Sequence, residues 1–260
     1  MVGQLSARLE CSSGRKGCLT RMLKPQTPPP LSVELALFLD FDGTLAPIQP
    51  DPDSVAISDD KHRVLTQLAD KLHGALALVS GRDIRDLSKR VPGSVWRAGN
   101  HGLYACEPGQ AAPSKLDDAP DELVRAFESL VQTFPGTRLE IKGKVLTLHY
   151  RNAPESENSL TQAAEAELSA FPEYKLQNGK FVLEAKPKGA NKGEAVRRLM
   201  GQPDFQSRIP VMVGDDTTDE DAMSVVKEFG GWSVKVGPGE TIAAYRLEDT
   251  DAVWNWLSKG

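Results

Sequence analysis

The 260-residue chain carries 31 lysines and arginines against 36 aspartates and glutamates, a formal charge of -5. That balance opposes a broad grip on the backbone of nucleic acid, while a small anionic substrate needs only a local positive pocket. No apolar run approaches the roughly 20 residues that cross a bilayer, and the basic N-terminus lacks a hydrophobic segment of about 7 to 15 residues. Three cysteines, Cys11, Cys18 and Cys106, form no CxxC pair and suggest neither a disulfide framework nor a zinc site. The expectation is a cytoplasmic monomer with no nucleic-acid or membrane partner.

Residues 1–30 are rich in Ser, Gly, Arg and Lys and end in a proline-rich run, Lys24 to Pro30. This composition suits an extended, solvated lead-in, with Met22 a candidate start. The first apolar run, Leu35 to Leu39, lacks alternation, as do Ala75 to Val79 and Pro210 to Val213. Strands buried on both faces of a parallel sheet read this way. Between the first two, Lys61 to His73 sets Val64, Leu65, Leu68 and Leu72 on one helical face and stops at Gly74. A helix over Asp83 to Arg90 follows, with Ser80 as a possible N-cap.

From Tyr104 to Phe181 the pattern changes. Asp121 to Phe134 carries Leu123, Phe127, Leu130, Val131 and Phe134 at helical spacing, and Arg138 to Arg151 predicts two strands turning at Gly143. Glu155 to Ala170 predicts a second helix, and Asn178-Gly179 a hairpin turn. Asn191 to Met200 is the next helix, closed by Gly201. The whole predicts an α/β fold: a doubly wound, Rossmann-like parallel sheet over 31–103 and 182–260, interrupted by an inserted α+β domain over 104–181.

Each buried run ends in a polar cluster: Asp40 and Asp42, then Ser80, then Asp215 and Asp216. The carboxyl ends of strands in an open parallel sheet line the ligand crevice, so these distant residues are expected to converge. In Asp40-Phe41-Asp42-Gly43-Thr44-Leu45, two carboxylates can divide a phosphoryl transfer. Asp40 attacks, while Asp42 protonates the leaving oxygen and later deprotonates water; an Asx-turn would also explain the pair. Val79-Ser80-Gly81-Arg82 offers a hydroxyl and backbone amides to phosphoryl oxygens.

Lys192 opposes the macrodipole at a helix start, a conflict that a bound anion removes, and is the candidate for neutralising the transferred group. Lys186 and Lys188 are expected to be solvated. Gly214 to Asp221 packs five acids beside a helix start, more than capping requires. Thr217 and Glu220 have capping-box spacing. The remaining acids suit a hard cation such as Mg²⁺, held by Asp215, Asp40 and the backbone carbonyl of Asp42.

DFDGTL, VSGR, the NKG lysine and GDDTTDE, in this order, resemble the four motifs of the haloacid dehalogenase superfamily of phosphotransferases. Gly99-Asn100-His101-Gly102, Glu140 to Lys144, Leu148 to Arg151, Val182 to Pro187 and Val234 to Gly239 narrow the resemblance to the trehalose-6-phosphate phosphatase family. It covers nearly everything from Leu35 onward. By that resemblance the insert is a cap over a disaccharide phosphate, hydrolysed through an aspartyl-phosphate, with Glu140, Lys142 and Glu184 at sugar-contacting positions. Arg82 and His101 join them as candidate substrate-binding residues. Glu140 and Lys142 could equally form an exposed pair beside a turn. His149 and Lys186 receive no site role. Within the enzyme class the rival is a sucrose- or mannose-phosphate specificity. Outside it stand a phosphoacceptor receiver, which the length and the insert oppose, and a non-catalytic regulatory relative.

Overall fold

The computed structural model describes residues 27–179 and 181–259. The candidate start at Met22 and most of the proposed lead-in lie outside these residues. Its last part, by contrast, belongs to the fold: Pro28 is buried, and the Pro29 carbonyl accepts a 2.8 Å hydrogen bond from Trp256 Nε1.

Seven strands form the larger sheet: β1 (Leu35–Leu39), β2 (Leu76–Val79), β3 (Trp96–Gly99), β4 (Tyr104–Cys106), β9 (Ile209–Gly214), β10 (Trp232–Val236) and β11 (Tyr245–Leu247). Their order is β11-β10-β9-β1-β2-β3-β4, parallel except for the edge strand β4. All of β1 and β2 is buried, because α1 (Asp59–Lys71), α2 (Ile84–Arg90), α5 (Lys192–Met200), α6 (Thr217–Glu228) and α7 (Thr250–Leu257) supply the layers over the sheet. The chain leaves β1 toward β2 on one side and reaches β9 on the other. The switch point therefore lies at the carboxyl ends of β1 and β9, where Leu39 is in register with Val213.

The second unit has a four-stranded antiparallel sheet of order β5-β6-β8-β7, made of β5 (Arg138–Lys142), β6 (Val145–His149), β7 (Tyr174–Gly179) and β8 (Val182–Pro187). Two helices, α3 (Asp121–Thr133) and α4 (Glu157–Leu168), cover one face through Leu123, Phe127, Leu130 and Leu160, packed on Leu146, Leu148, Leu183 and Ala185. Sheet membership differs from the expected division at 104 and 181. β4 pairs with β3 in the larger sheet, and β8 lies between β6 and β7 in the smaller one.

Three local expectations also change. The β7–β8 turn falls beyond Asn178, which pairs with Leu183 inside the ladder, and Phe181 takes the positive φ of 61°. Asp83, not Ser80, caps α2 by accepting from Arg85 N at 2.8 Å. The capping box of α6 is Asp216 with Asp219, one residue earlier than the Thr217 and Glu220 spacing suggests. Glu220 instead accepts from Ile242 N at 3.0 Å.

Candidate active site

Asp40 is the first residue past β1 and is still tied to the neighbouring strand, its N–H donating to the Val213 carbonyl at 3.0 Å. This fixes its side chain at the switch point. Lys192 enters from the first turn of α5, whose N-cap Asn191 accepts from Glu194 N at 2.8 Å. Its Nζ stands 2.6 Å from Asp40 Oδ1 and 2.7 Å from Asp219 Oδ1, and all three residues are buried. The lysine that opposes its helix dipole is thus compensated by two carboxylates.

Asp215 follows β9. Gly43, at φ +79°, makes room for it: a Cβ there would sit 2.1 Å from Asp215 Oδ2. Lys235, on the adjacent strand β10, donates to the Asp215 backbone carbonyl. One oxygen each from Asp40, Asp215 and Asp219 lies within 4.8 Å of the other two. The sequence alone does not single out Asp219. Its Oδ2 accepts from the N–H groups of Asp215 at 3.0 Å and Asp216 at 3.1 Å while Oδ1 holds Lys192, so it orders both the β9 tip and the lysine.

The electrostatics follow from burial. Desolvation holds the Asp40 carboxyl well above its usual range, with Asp219 and Asp215 adding to the shift and Lys192 opposing it. Burial would lower the pKa of Lys192, but Asp219 and Asp40 outweigh this and hold its ammonium well above the ordinary value. Asp215 is raised by burial and by Asp216, and Asp219 is pushed up to about 6. Three clustered carboxylates against one ammonium leave negative charge in excess, and the donor set is entirely oxygen. These residues fit a hard divalent cation.

Asp42 lies beside this cluster, held by the fork of Arg82, whose Nε reaches Asp42 Oδ2 at 2.7 Å and whose Nη2 reaches Oδ1 at 2.6 Å. Arg82 also donates to Asp86 at 2.9 Å, and Arg90 to the same Asp86 oxygen at 2.8 Å. Ser80, buried at the tip of β2, accepts from Arg82 N at 3.1 Å, which closes the Ser80-Gly81-Arg82 turn. The structure therefore brings Asp40, Lys192, Asp215 and Ser80 to adjacent tips as expected, and gives Arg82 to Asp42.

The smaller sheet turns its uncovered face to this crevice. Glu140, Thr147, Glu184 and Gln177 stand in register across its four strands, and Lys142 and Lys186 lie two residues further along β5 and β8. Glu140 and Lys142 are 3.5 Å apart on one strand, and His149 Nε2 is 2.8 Å from Glu140. Glu184 Oε2 is 2.7 Å from Nε2 of His101, a buried residue of the larger unit. Burial lowers the His101 pKa, with Glu184 pulling the other way. Despite its own burial, Glu184 is lowered to about 2 by this contact, with Lys142 and Lys186 adding to it.

Lys186 contradicts the expectation of a solvated side chain: it is 1% exposed, and burial lowers its pKa to about 8 against the pull of Glu184. Its phase on β8, two residues from Glu184, was the sequence signal for that placement. Lys188, beyond the strand, is exposed as expected.

A trehalose-phosphatase family model matches residues 38–251. The chain is 40% identical to a trehalose-6-phosphate phosphatase of Escherichia coli over 242 residues, 91% of this chain and 90% of that one. Among solved structures, the C-terminal domain of a Candida albicans trehalose-6-phosphate phosphatase superposes with a TM-score of 0.72 at 27% identity, covering 87% and 92% of the two chains. A haloacid dehalogenase-like hydrolase from Bacteroides thetaiotaomicron, 16% identical with a TM-score of 0.63 over 87% and 98% of the chains, shares the fold. A match that runs from within β1 to the start of α7 takes in both sheets and every residue of the crevice, and on that ground the chain belongs to the trehalose-phosphatase family.

Proposed function

We propose that this protein hydrolyses trehalose 6-phosphate to trehalose and inorganic phosphate, with Asp40 as nucleophile. The supporting observation is the buried group at the β1 and β9 tips, where the Lys192 ammonium is 2.6 Å from Asp40 and the oxygens of Asp40, Asp215 and Asp219 crowd within 4.8 Å. An Asp40 oxygen attacks phosphorus as the bond from phosphorus to the sugar oxygen breaks, and the leaving oxygen takes a proton from Asp42. Water, deprotonated by Asp42, then attacks the aspartyl-phosphate, releasing phosphate and restoring the Asp40 carboxylate.

Protonation of Asp42 removes the charge that pairs with the Arg82 fork and so weakens that contact. Arg82 keeps Asp86 as a partner when that happens. Lys192 neutralises the transferred group, and Ser80 with the following backbone amides cradles its oxygens. Asp40, Asp215 and the Asp42 carbonyl would hold Mg²⁺, with Asp219 ordering the set. Mg²⁺, when bound, supplies charge neutralisation between the attacking carboxylate and the anionic phosphoryl group.

For the disaccharide, Glu140, Lys142 and Glu184 bridge hydroxyls, and a sugar that leaves these polar groups unpaired is penalised. His101 serves by orienting Glu184. Among the described residues no helix is long and apolar enough to cross a membrane; a cytoplasmic sugar phosphate is the substrate pool we propose. The test is phosphate release from a panel of sugar phosphates with Mg²⁺ or with EDTA. Release is expected from trehalose 6-phosphate, above sucrose and mannose phosphates, and only with the metal. Equal release with EDTA contradicts the metal assignment, and preference for another sugar contradicts the substrate.

A further inference from the structure

The Gly99 to Gly102 segment, at the carboxyl end of β3, touches both units of the molecule. On one side it is laced to the proposed phosphoryl cradle: Asn100 N donates to the Arg82 carbonyl at 2.6 Å and His101 N to the Ser80 carbonyl at 3.0 Å. The Asn100 carboxamide oxygen accepts from Ile84 N, the first residue of α2, at 2.8 Å. On the other side the Asn100 amide Nδ2 donates to the Lys142 carbonyl at 3.2 Å, at the end of β5 in the smaller sheet. Asn100 is 0% exposed, and it sits at φ +53° beside His101 at +56° and Gly102 at +83°.

Asparagine tolerates this backbone region better than most residues, which alone would account for its oxygen and its conformation. It does not account for the amide nitrogen, which no turn requires and which reaches across to the other sheet. Lys142 and Glu140 occupy the same strand, so a shift of β5 moves both relative to Asp40.

We infer that Asn100 is a positioning residue that sets the spacing between the phosphoryl cradle and the sugar-facing strand β5, an inference that rests on the sugar-phosphatase reading above. Asn100→Asp separates this from a purely local role. It retains the acceptor for Ile84 N and the tolerance of positive φ, and removes the donor to Lys142. The assay compares trehalose 6-phosphate with p-nitrophenyl phosphate, whose leaving group has no sugar to meet the smaller sheet. For N100D, KM for trehalose 6-phosphate is expected to rise about three- to tenfold, the range for one lost hydrogen bond, with kcat held. The kcat/KM for p-nitrophenyl phosphate is expected to stay within about twofold of wild type.

Equal losses on both substrates, or an unchanged KM in a folded variant, overturn the inference. Asn100→Gly accepts the same backbone without either side-chain bond and supplies the same comparison if N100D does not fold; if neither folds, the role is structural and the inference fails. A wild type inert toward every sugar phosphate would instead remove the parent reading, and is seen without any variant.

Discussion

The two sheets carry their polar groups in opposite ways. In the larger one both faces are buried, and chemistry is confined to strand tips and one helix start, where Asp40, Lys192 and Asp219 are 3%, 3% and 0% exposed. In the smaller one a face carries no helix and turns to the crevice, and Glu140, Thr147, Glu184 and Gln177 run across it in register. A strand tip delivers one or two side chains to a fixed point, which suits a single reacting phosphorus atom. A sheet face delivers many groups about 5 Å apart, a spacing that suits the hydroxyls of a sugar. Reaction and selection are thus expected to be separable by substitution.

The strongest way to break this division is at the tips. Asp40→Asn is expected to leave a folded protein with turnover reduced by at least about a thousandfold on every phosphomonoester. Steady-state phosphate release and circular dichroism check this, and retained turnover would end the assignment. Lys192→Met should match that loss on all substrates. It should also cost stability, about 3 to 5 kcal/mol, because two buried carboxylates lose their shared partner. A thermal melt reads that effect.

Substitution on the open face should behave differently. Lys142→Ala is expected to raise KM for trehalose 6-phosphate about tenfold or more while leaving p-nitrophenyl phosphate turnover nearly unchanged. Equal losses on the two would merge the roles of the sheets. The smallest effect concerns pH. Burial brings the Lys186 pKa down to about 8, so its charge is present below that pH and lost as pH rises through it. Lys186 helps to hold the sugar-facing Glu184 ionised, so KM for the sugar phosphate should climb above about pH 8, and Lys186→Met should flatten that limb in a pH series of initial rates.

The same contrast explains what could be read from the sequence. Leu35 to Leu39, Ala75 to Val79 and Pro210 to Val213 are legible because burial on both faces removes polar residues altogether, so the acids that follow mark the tips. The smaller sheet is harder to read. In β8 polar and apolar residues alternate, and Glu184-Ala185-Lys186 resembles a solvated stretch until its neighbours on both sides are known. Lys186 is buried for that reason, and its phase with Glu184 on β8 is the one sequence feature that points to it.

Asp219 is hard to read from sequence because two overlapping capping patterns, Thr217 with Glu220 and Asp216 with Asp219, compete in one acidic run. The partner that gives Asp219 a place in the site, Lys192, lies 27 residues earlier. Asn100 stands in the sequence as part of a family motif with no role of its own, since its partner Lys142 is 42 residues away.

Trapping the phosphoenzyme tests the central claim most directly. Asp42→Asn, unable to deprotonate water, is mixed with p-nitrophenyl phosphate, whose leaving group needs no proton donor, then quenched in acid and reduced with borohydride. An aspartyl-phosphate becomes homoserine, which peptide mass spectrometry locates. Homoserine at position 40, absent when Asp40→Asn is added to the variant, is the predicted result. Homoserine at another aspartate, or none at position 40 while wild-type enzyme quenched during turnover also carries none, would contradict it.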